Sequence, residues 1–208
     1  MLLIPFLIGL LMGAESPFSN ASLGASVFSA DTATTIATNA DEIPLVPFYS
    51  QFQDISKPEW QKLGCGIADL AMLVEYYNPG VVSVDTLLQE GIAAGAYQEG
   101  AGWTHRGLVL LARPYGLDGT SYDFAQIDTN TAFAQFKTSL QEGPLIASVH
   151  YKLDPQNPIP HLIVVTGIRD NIVYYNDPAE TTGGTAISVE DFLNAWKKRF
   201  VVVRPYKI

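Results

Sequence analysis

The sequence predicts an α+β fold in which helices come first and an antiparallel sheet follows. Between residues 65 and 143, apolar residues recur at helical spacing, and glycine, proline and capping residues separate the segments. From Leu145 onward the pattern changes to a period of two and becomes rich in β-branched residues, which is typical of strands. We therefore expect two layers, one of helices and one of strands.

The first predicted helix is the most apolar one and contains the single cysteine of the chain, Cys65. It follows an extended segment over residues 43–49 and a polar loop over residues 51–64 that contains Pro58. Apolar residues also occupy its other faces, so we expect a central helix that is buried on most sides. Asn78-Pro79-Gly80 ends the helix. Its main apolar face consists of Ile67, Leu70, Ala71, Val74 and Tyr77.

Three further helices are predicted from their capping residues and apolar spacing. The first runs from a Ser83 cap to residue 92, and the second runs from a Thr104 cap towards residue 115. The third contains Phe133 and Phe136 and ends at Gly143-Pro144. All three precede the sheet.

Strands are predicted over residues 145–151, 161–168 and 172–175, where β-branched and apolar residues alternate. Asp170-Asn171 is a pair that favours a tight turn, so the second and third strands should form a hairpin. Ser188 begins a short helix that extends through residue 198, and residues 200–204 form a closing strand. These strands predict an antiparallel sheet.

The N-terminal part of the chain differs in composition from the rest. Residues 1–13 are almost wholly apolar, and residues 14–41 are rich in Ser, Thr, Ala and Asn. We expect a signal-like leader and a spacer over residues 1–41, followed by one domain over residues 42–208. This predicts a secreted or extracytoplasmic protein, with a membrane tether through the apolar segment as an alternative. The positive residues that usually precede such a segment are absent, since the first Lys or Arg is Lys57.

Charge and cysteine count exclude several classes of function. The net charge of −9 argues against nucleic acid as a partner, because nucleic-acid binding needs clusters of Lys and Arg. Lys197-Lys198-Arg199 is the nearest approach to such a cluster, and we expect it to form a solvated face at the end of the last helix. One cysteine and three histidines leave too few ligands for most metal sites. We expect no metal and no cofactor.

Cys65 stands where a helix begins, directly after a glycine. The first turn of a helix has unpaired backbone N–H groups and the positive end of the helix dipole, and both favour a thiolate over a thiol. A free cysteine is also among the most often buried side chains, so position alone leaves a structural role open. A downstream histidine together with Asn or Asp favours the role of nucleophile.

His161 and Asp177 supply that pattern. His161 starts one strand of the predicted hairpin, and Asp177 ends the other. In an antiparallel pair the start of one strand lies beside the end of its partner, so the two side chains should meet. A carboxylate that accepts the Nδ1–H of the ring fixes its tautomer and supports an imidazolium that stabilises a thiolate. We therefore expect Cys65, His161 and Asp177 to form a catalytic triad.

Four parts of the chain resemble the C39-like family of papain-like cysteine peptidases, which is related to bacteriocin-leader-processing domains. They are residues 46–51, residues 64–68 around Cys65, residues 102–108, and residues 161–167 with 176–179. The resemblance spans about residues 45–205. It implies a papain-like fold, a catalytic Cys–His–Asp set and an upstream glutamine that helps to form the oxyanion hole.

Carried onto this sequence, the family's nucleophile, general base and orienting residue fall on Cys65, His161 and Asp177. Gln51 is the candidate for the oxyanion donor. Gln61 is its rival, because leader-processing members place their glutamine closer to the cysteine in a tighter loop, and Gln53 is a weaker third candidate.

Asp69 departs from the family pattern, which more often has a small residue four positions after the cysteine. One helical turn places Asp69 on the face of Cys65, where a carboxylate disfavours a thiolate. We expect the side chain to turn aside to solvent or to pair with a neighbour. If it faced the site instead, the site would be damped or inactive.

Two residues near the start of the third helix are candidates for the substrate cleft. Trp103 offers a surface against which a substrate side chain can pack, and His105 lies at the helix start, where a capping role is an alternative. His150 shares a strand face with apolar and small residues, which indicates a structural role.

The sequence therefore predicts a cysteine peptidase that hydrolyses a peptide or protein substrate through a thioester acyl-enzyme. Relatives of transglutaminase or amidase type use the same triad for acyl transfer or for amide hydrolysis on cell-wall peptides. An alternative hypothesis, from a different class of function, is a catalytically silent binding domain in which Cys65 and His161 only pack in the core.

Overall fold

A six-stranded antiparallel sheet organises residues 42–206, which are the residues that the computed structural model describes. Helices cover both faces of the sheet, and a small two-stranded hairpin packs near the first helix. In chain order the elements are α1 (Pro58–Gln61), α2 (Cys65–Tyr77), α3 (Val84–Ala93), β1 (Tyr97–Gln98), β2 (Gly102–Trp103), α4 (His105–Ala112), β3 (Leu117–Asp123), α5 (Thr129–Gln141), β4 (Leu145–His150), β5 (Pro160–Arg169), β6 (Ile172–Asn176), β7 (Thr185–Ser188), α6 (Val189–Ala195) and β8 (Trp196–Pro205).

The strand order in the sheet is β3-β8-β4-β5-β6-β7. Alternate residues of β5 enter two different layers of the core. Leu162 and Val164 pack in the layer formed with α2, α3 and α4, whereas Ile163 and Val165 pack with α5 and α6. Because both faces of β5 are buried, its sequence is a continuous apolar run. The sheet is the middle of three layers, so the expectation of two layers is wrong, because α5 and α6 cover its second face.

The helix α2 is central, as its sequence predicts. Every residue from Gly66 to Val74 is buried, and the helix ends at Tyr77 before Asn78. The later helices begin at the predicted caps, where Ser83 and Thr104 each accept a backbone N–H from the third residue beyond. Local sequence therefore fixes where these helices begin.

The predicted hairpin of β5 and β6 is confirmed. Asp170 and Asn171 have positive φ angles of 51° and 62° and connect the two strands. A β-bulge at Thr166 shifts the register, so Val165 pairs with Tyr175 and Gly167 pairs with Tyr174. Beyond the bulge, β6 runs antiparallel towards the start of β5.

The predicted helix over residues 188–198 is wrong at its end. The helix α6 stops at Ala195, and β8 begins at Trp196. Pairing decides this boundary, since Trp196 already lies opposite Val149 of β4. The triplet Lys197-Lys198-Arg199 consequently belongs to a strand and not to a helix end.

Several elements escaped prediction, so strands also occur among the helices. The hairpin β1–β2, the edge strands β3 and β7, and the short helix α1 inside the predicted polar loop were not expected. The strand β3 has few apolar residues, but it pairs with β8 along its whole length. At Gly119 a Cβ atom would lie 1.8 Å from the carbonyl oxygen of Val202, so glycine allows this close approach.

The predicted leader and spacer over residues 1–41, and the domain boundary that follows them, lie outside the described residues. Within residues 42–206, no helix combines the length and the apolar character that crossing a membrane requires.

Two of the leucines of α4 test whether this helix packs on the layer of α2. Leu108 is fully buried in that layer, whereas Leu110 is 44% exposed. We expect Leu108→Ala to lower the free energy of unfolding by about 2–5 kcal/mol, because it leaves a cavity. Leu110→Ala should change it by less than about 0.5 kcal/mol. Urea unfolding measures both values, and similar losses for the two variants would contradict this packing.

Candidate active site

Cys65 is the first residue of α2 and is partly exposed. Its two glycine neighbours let other parts of the chain approach closely. A Cβ atom at Gly64 would lie 2.1 Å from Cδ1 of Ile55, and one at Gly66 would lie 2.9 Å from Cβ of Trp103. The glycines therefore allow the preceding loop and Trp103 to pack directly against the start of the helix.

His161 lies near the start of β5, opposite Val149 of β4, and is 3% exposed. Its Nε2 atom is 2.6 Å from Oδ1 of Asp177. The ring of Tyr151 meets the imidazole edge-on, with centroids 5.1 Å apart. Burial and these two contacts hold the imidazole in one orientation.

The sequence-based expectation that Asp177 contacts Nδ1 is wrong. Asp177 directly follows β6 and reaches the ring from the side of Nε2. The other ring nitrogen, Nδ1, is therefore the one left to exchange a proton with Cys65. The hairpin predicted that the two residues meet, but only the tertiary structure shows which nitrogen the carboxylate contacts.

Asp177 is itself fixed by the backbone around it. Its Oδ1 atom also accepts the backbone N–H of Ala179 at 2.8 Å. The next carbonyl, that of Pro178, accepts the backbone N–H of Gln51 at 2.8 Å, and Ser50 Oγ donates to the carbonyl of Glu180 at 2.7 Å. The turn after β6 is thus clamped to the segment that contains Gln51.

The interactions of His161 favour its charged form. Burial disfavours an imidazolium, but hydrogen bonds with Asp177 and Cys65, together with the charges of both, raise the pKa of His161 to about 10. Cys65 acts on the ring of His161, and both residues line the same cavity. The structure therefore brings together the three residues that the sequence singled out.

The three glutamines before Cys65 differ in their positions. Gln51 is 3% exposed and lies beside Gly64, and its Nε2 donates to the carbonyl of Gln61 at 2.7 Å. The side chain of Gln61 is directed elsewhere, since its Nε2 donates to the carbonyl of Ile55 at 3.0 Å. Gln53 is exposed. Of the three, Gln51 has a buried amide next to the start of α2.

Sequence comparison identifies the family. The model of the Peptidase_C39 like family matches residues 43–200, which is most of the chain. The chain belongs to this family. No curated protein shows significant similarity to the chain.

Solved structures agree with this assignment. The chain is similar to a double glycine motif protease from an AMS/PCAT transporter, crystallised in complex with the leader peptide, with 25% identity and a TM-score of 0.54. That match covers 78% of this chain and 93% of the other. The C39-like chain is a cysteine peptidase of the papain-like kind.

Two more distant structures show the same fold. The peptidase domain of Streptococcus ComA, a bifunctional ABC transporter, is 23% identical, with a TM-score of 0.53 and coverage of 70% of this chain and 93% of the other. A C39-like peptidase from Bacillus anthracis is 17% identical, with a TM-score of 0.56 and coverage of 78% and 96%. The papain-like architecture predicted from the sequence is therefore confirmed.

A cavity of about 680 Å³ opens beside Cys65 and His161 in this C39-like peptidase. Both predicted cleft residues line it. Trp103 is buried, donates from Nε1 to the carbonyl of Leu63 at 2.6 Å, and packs edge-on against Tyr97. His105 lines the cavity and does not cap α4, because Thr104 performs that role. Burial and the nearby charge of Arg199 lower the pKa of His105, against the opposing effect of Asp123.

Sequence reasoning missed the basic residues that line this cavity. Lys197 and Arg199 do so from β8, whereas Lys198 between them donates from Nζ to the carbonyl of Ile127 at 2.7 Å. The strand β8 is bulged here, since Lys198 has a positive φ of 56° and the pairing with β4 passes from Trp196–Val149 to Arg199–Ser148. The expectation of a helix end concealed this arrangement. Lys62 lines the cavity from the loop before Cys65. His150 lies outside the cavity lining, and its Nδ1 is 2.7 Å from the carbonyl oxygen of Asn157.

Asp69 does not turn to solvent, and the expectation that it does so or pairs with a neighbour is wrong. Its side chain is fully buried, and neither carboxyl oxygen has a hydrogen-bond partner among the described residues. Burial and the negative charges of Cys65 and Asp177 raise the pKa of Asp69 well above its ordinary value, although His161 opposes this. The residue therefore lies close to the site residues, and its surroundings favour its neutral form.

Proposed function

We propose that this C39-like peptidase cleaves peptide bonds by a Cys65–His161–Asp177 mechanism. The observation that carries the proposal is the arrangement of a buried imidazole between the carboxylate of Asp177, at 2.6 Å, and the thiol of Cys65 at a helix start. Because the pKa of His161 is about 10, an imidazolium persists at neutral pH and can stabilise a thiolate. The cavity beside this pair offers room for a substrate.

In the first half of the proposed reaction, the Cys65 thiolate attacks the carbonyl carbon of the scissile bond. The electron pair of the C=O bond moves to oxygen and forms a tetrahedral oxyanion. As this collapses, the C–N bond breaks and the imidazolium of His161 gives its Nδ1 proton to the leaving amine. The products of this half are a free amine and a thioester on Cys65.

In the second half, neutral His161 takes a proton from a water molecule, whose oxygen attacks the thioester. The collapse of the second tetrahedral intermediate breaks the C–S bond and releases a carboxylic acid. The thiolate and the imidazolium are thereby restored. Asp177 orients the ring through Nε2 in both halves.

The oxyanion is proposed to bind the Gln51 side-chain amide and the backbone N–H of Cys65. Nε2 of Gln51 already donates one hydrogen to the Gln61 carbonyl and keeps a second hydrogen. An amide donor of this kind contributes about 3 kcal/mol to transition-state stabilisation. The hydrogen bond from the Gln51 backbone to Pro178 keeps this donor in register with Asp177.

A peptide is the proposed substrate. The similar double glycine motif protease was crystallised with a leader peptide, which supports a peptide-binding cleft in this chain. The apolar composition of residues 1–13 supports export, so we propose an extracytoplasmic site of action.

The pH dependence of Cys65 alkylation tests the proposed pair without a substrate. In the full-length protein we expect iodoacetamide to label Cys65 rapidly at neutral pH, because the imidazolium stabilises the thiolate. His161→Ala should lose this rapid labelling and lower kcat on peptides by about 10²–10⁴-fold. His150→Ala is the matched control, since His150 lies outside the cavity lining. Labelling that is slow at neutral pH and unchanged in His161→Ala would favour a silent binding domain.

Gln51 and Gln61 can be distinguished by kinetics. We expect Gln51→Ala to lower kcat by about 10²–10³-fold with little change in KM, because an oxyanion donor acts only in the transition state. Gln61→Ala removes an amide that is already directed to Ile55 and should change kcat by less than about tenfold. Steady-state assays on a cleaved peptide measure both, and equal losses would reject the assignment of Gln51.

A further inference from the structure

Asp69 is an unexplained polar group at the centre of the site. Buried carboxyl groups in proteins are nearly always hydrogen-bonded, and one without a partner destabilises the fold. Here the side chain is fully buried, and both oxygens lack a partner among residues 42–206.

The titratable groups that surround Asp69 are the proposed catalytic residues. The titratable groups that act on it are Cys65 from its own helix, His161 from β5 and Asp177 from the turn after β6. The other elements packed on α2, which are α3, α4, β4 and β8, contribute apolar side chains to this layer. A change in the charge of Asp69 therefore acts most strongly on Cys65 and His161.

A neutral carboxyl group carries no charge, so it does not oppose a nearby thiolate. Residues one turn apart share a helix face, and side chains tilt towards the N-terminus, so the carboxyl of Asp69 leans towards Cys65. Among the described residues no hydrogen bond joins Asp69 to Cys65, and Cys65 acts on the carboxyl through its charge. An ionised carboxylate in the same place would repel the thiolate in a medium of low dielectric constant.

We propose that Asp69 stays protonated one helical turn from Cys65 and, on losing that proton at alkaline pH, returns Cys65 to the thiol. When Asp69 gives its proton to water, the thiolate takes the proton of the imidazolium, and His161 becomes neutral. The site as a whole releases one proton and loses its nucleophile. The proposal rests on the proposed role of Cys65 and sets the alkaline limit of its activity.

Asp69→Asn keeps the shape of the side chain and cannot ionise, so it tests the proposal. We expect the alkaline decline of peptidase activity, and of the thiolate absorbance, to move upward by about one pH unit or more in this variant. Asp118→Asn is the matched control, because Asp118 is partly exposed and pairs with Arg113. An unchanged alkaline decline in Asp69→Asn would overturn the proposal.

Infrared spectroscopy reads the proton of Asp69 independently of catalysis. Wild-type protein at neutral pH should show the carbonyl band of a protonated carboxylic acid, and Asp69→Asn should lack it. Absence of this band from the wild type would overturn the proposal while leaving the peptidase mechanism intact. If the variants and the wild type all fail to cleave peptides, the proposed function fails, and the thiolate absorbance still decides the role of Asp69.

The stability of the fold gives a third readout. A carboxyl whose pKa is raised in the folded state binds more protons there than in the unfolded chain, so stability falls as pH rises above the ordinary value of 3.8. Asp69→Asn removes this loss. Its gain in melting temperature over the wild type should therefore be larger at about pH 8 than at about pH 4. A gain that does not depend on pH would contradict a buried proton.

A second and independent observation concerns the charge of the cavity. Among the described residues that line it, Lys62, Lys197 and Arg199 are basic, and Asp123 is the one carboxylate. Arg199 Nε is 2.9 Å from Asp123 Oδ2, which leaves the two lysines in excess. The cavity is thus locally positive in a chain whose net charge is −9.

Lys197 is poorly compensated within the described part of the protein. No carboxylate there lies within ion-pair distance of it, and burial and the charge of Arg199 lower its pKa. A partly buried cation of this kind is stabilised by an anion that arrives with the substrate. We infer that Lys197 binds a carboxylate of the peptide, an Asp or Glu side chain near the scissile bond.

Two peptide libraries that differ only in Glu or Gln at one fixed position test this inference, which also rests on the proposed function. We expect wild-type protein to cleave the Glu library with about tenfold higher kcat/KM, and Lys197→Gln to remove this preference. Lys198→Gln is the matched control, since Lys198 does not line the cavity. Equal cleavage of both libraries by the wild type would overturn the inference.

Binding to Cys65→Ala protein separates this inference from the proposed chemistry. Fluorescence anisotropy with the same labelled libraries should show tighter binding of the Glu peptides, and Lys197→Gln on that background should abolish the difference. Failure of cleavage with this preference in binding would overturn the peptidase mechanism alone. Binding without any preference would overturn the role of Lys197.

Discussion

The hydrogen bond of 2.6 Å between His161 Nε2 and Asp177 Oδ1 is the interaction on which the site depends. It joins the start of β5 to the end of β6, so it exists only because the Asp170-Asn171 turn brings these two strand ends together. The turn after β6 is in addition clamped to Ser50 and Gln51. One network of backbone bonds therefore fixes the orienting carboxylate and the proposed oxyanion donor together, which is the preorganisation that catalysis needs.

Close packing around Cys65 sets the shape of the cleft. The glycines on both sides of Cys65 allow Ile55 and Trp103 to approach the helix start, and Trp103 packs in turn against Trp60 and Tyr97. Trp103 and Tyr97 line the cavity, and the basic residues of β8 contribute to the same lining. The similar solved structures of C39 peptidases share this fold. Differences in substrate preference within the family are expected to arise in such linings.

The site also contains buried polar atoms that have no hydrogen-bond partner among the described residues, which is unusual in protein interiors. Both carboxyl oxygens of Asp69 and Oε1 of Gln51 are buried without a hydrogen-bond partner among the described residues. Proteins tolerate such groups mainly where function requires them, because each one lowers the stability of the fold. The unpaired atoms of Asp69 and Gln51 lie near Cys65 and His161. Helix caps and apolar packing support the rest of the fold.

The sequence by itself determined the elements that local chemistry controls. The start of α2 at Cys65, the caps Ser83 and Thr104, and the turn at Asp170-Asn171 follow from residues within a few positions, and the turn implied that His161 and Asp177 meet. Only the tertiary structure decided the rest. The strand β8 begins at Trp196 because β4 pairs with it, and Asp177 contacts Nε2 across the ends of two strands. Asp69 is fully buried on α2, which packs on β5. Contacts between segments that are distant in the sequence decide these features, so neighbouring residues do not predict them.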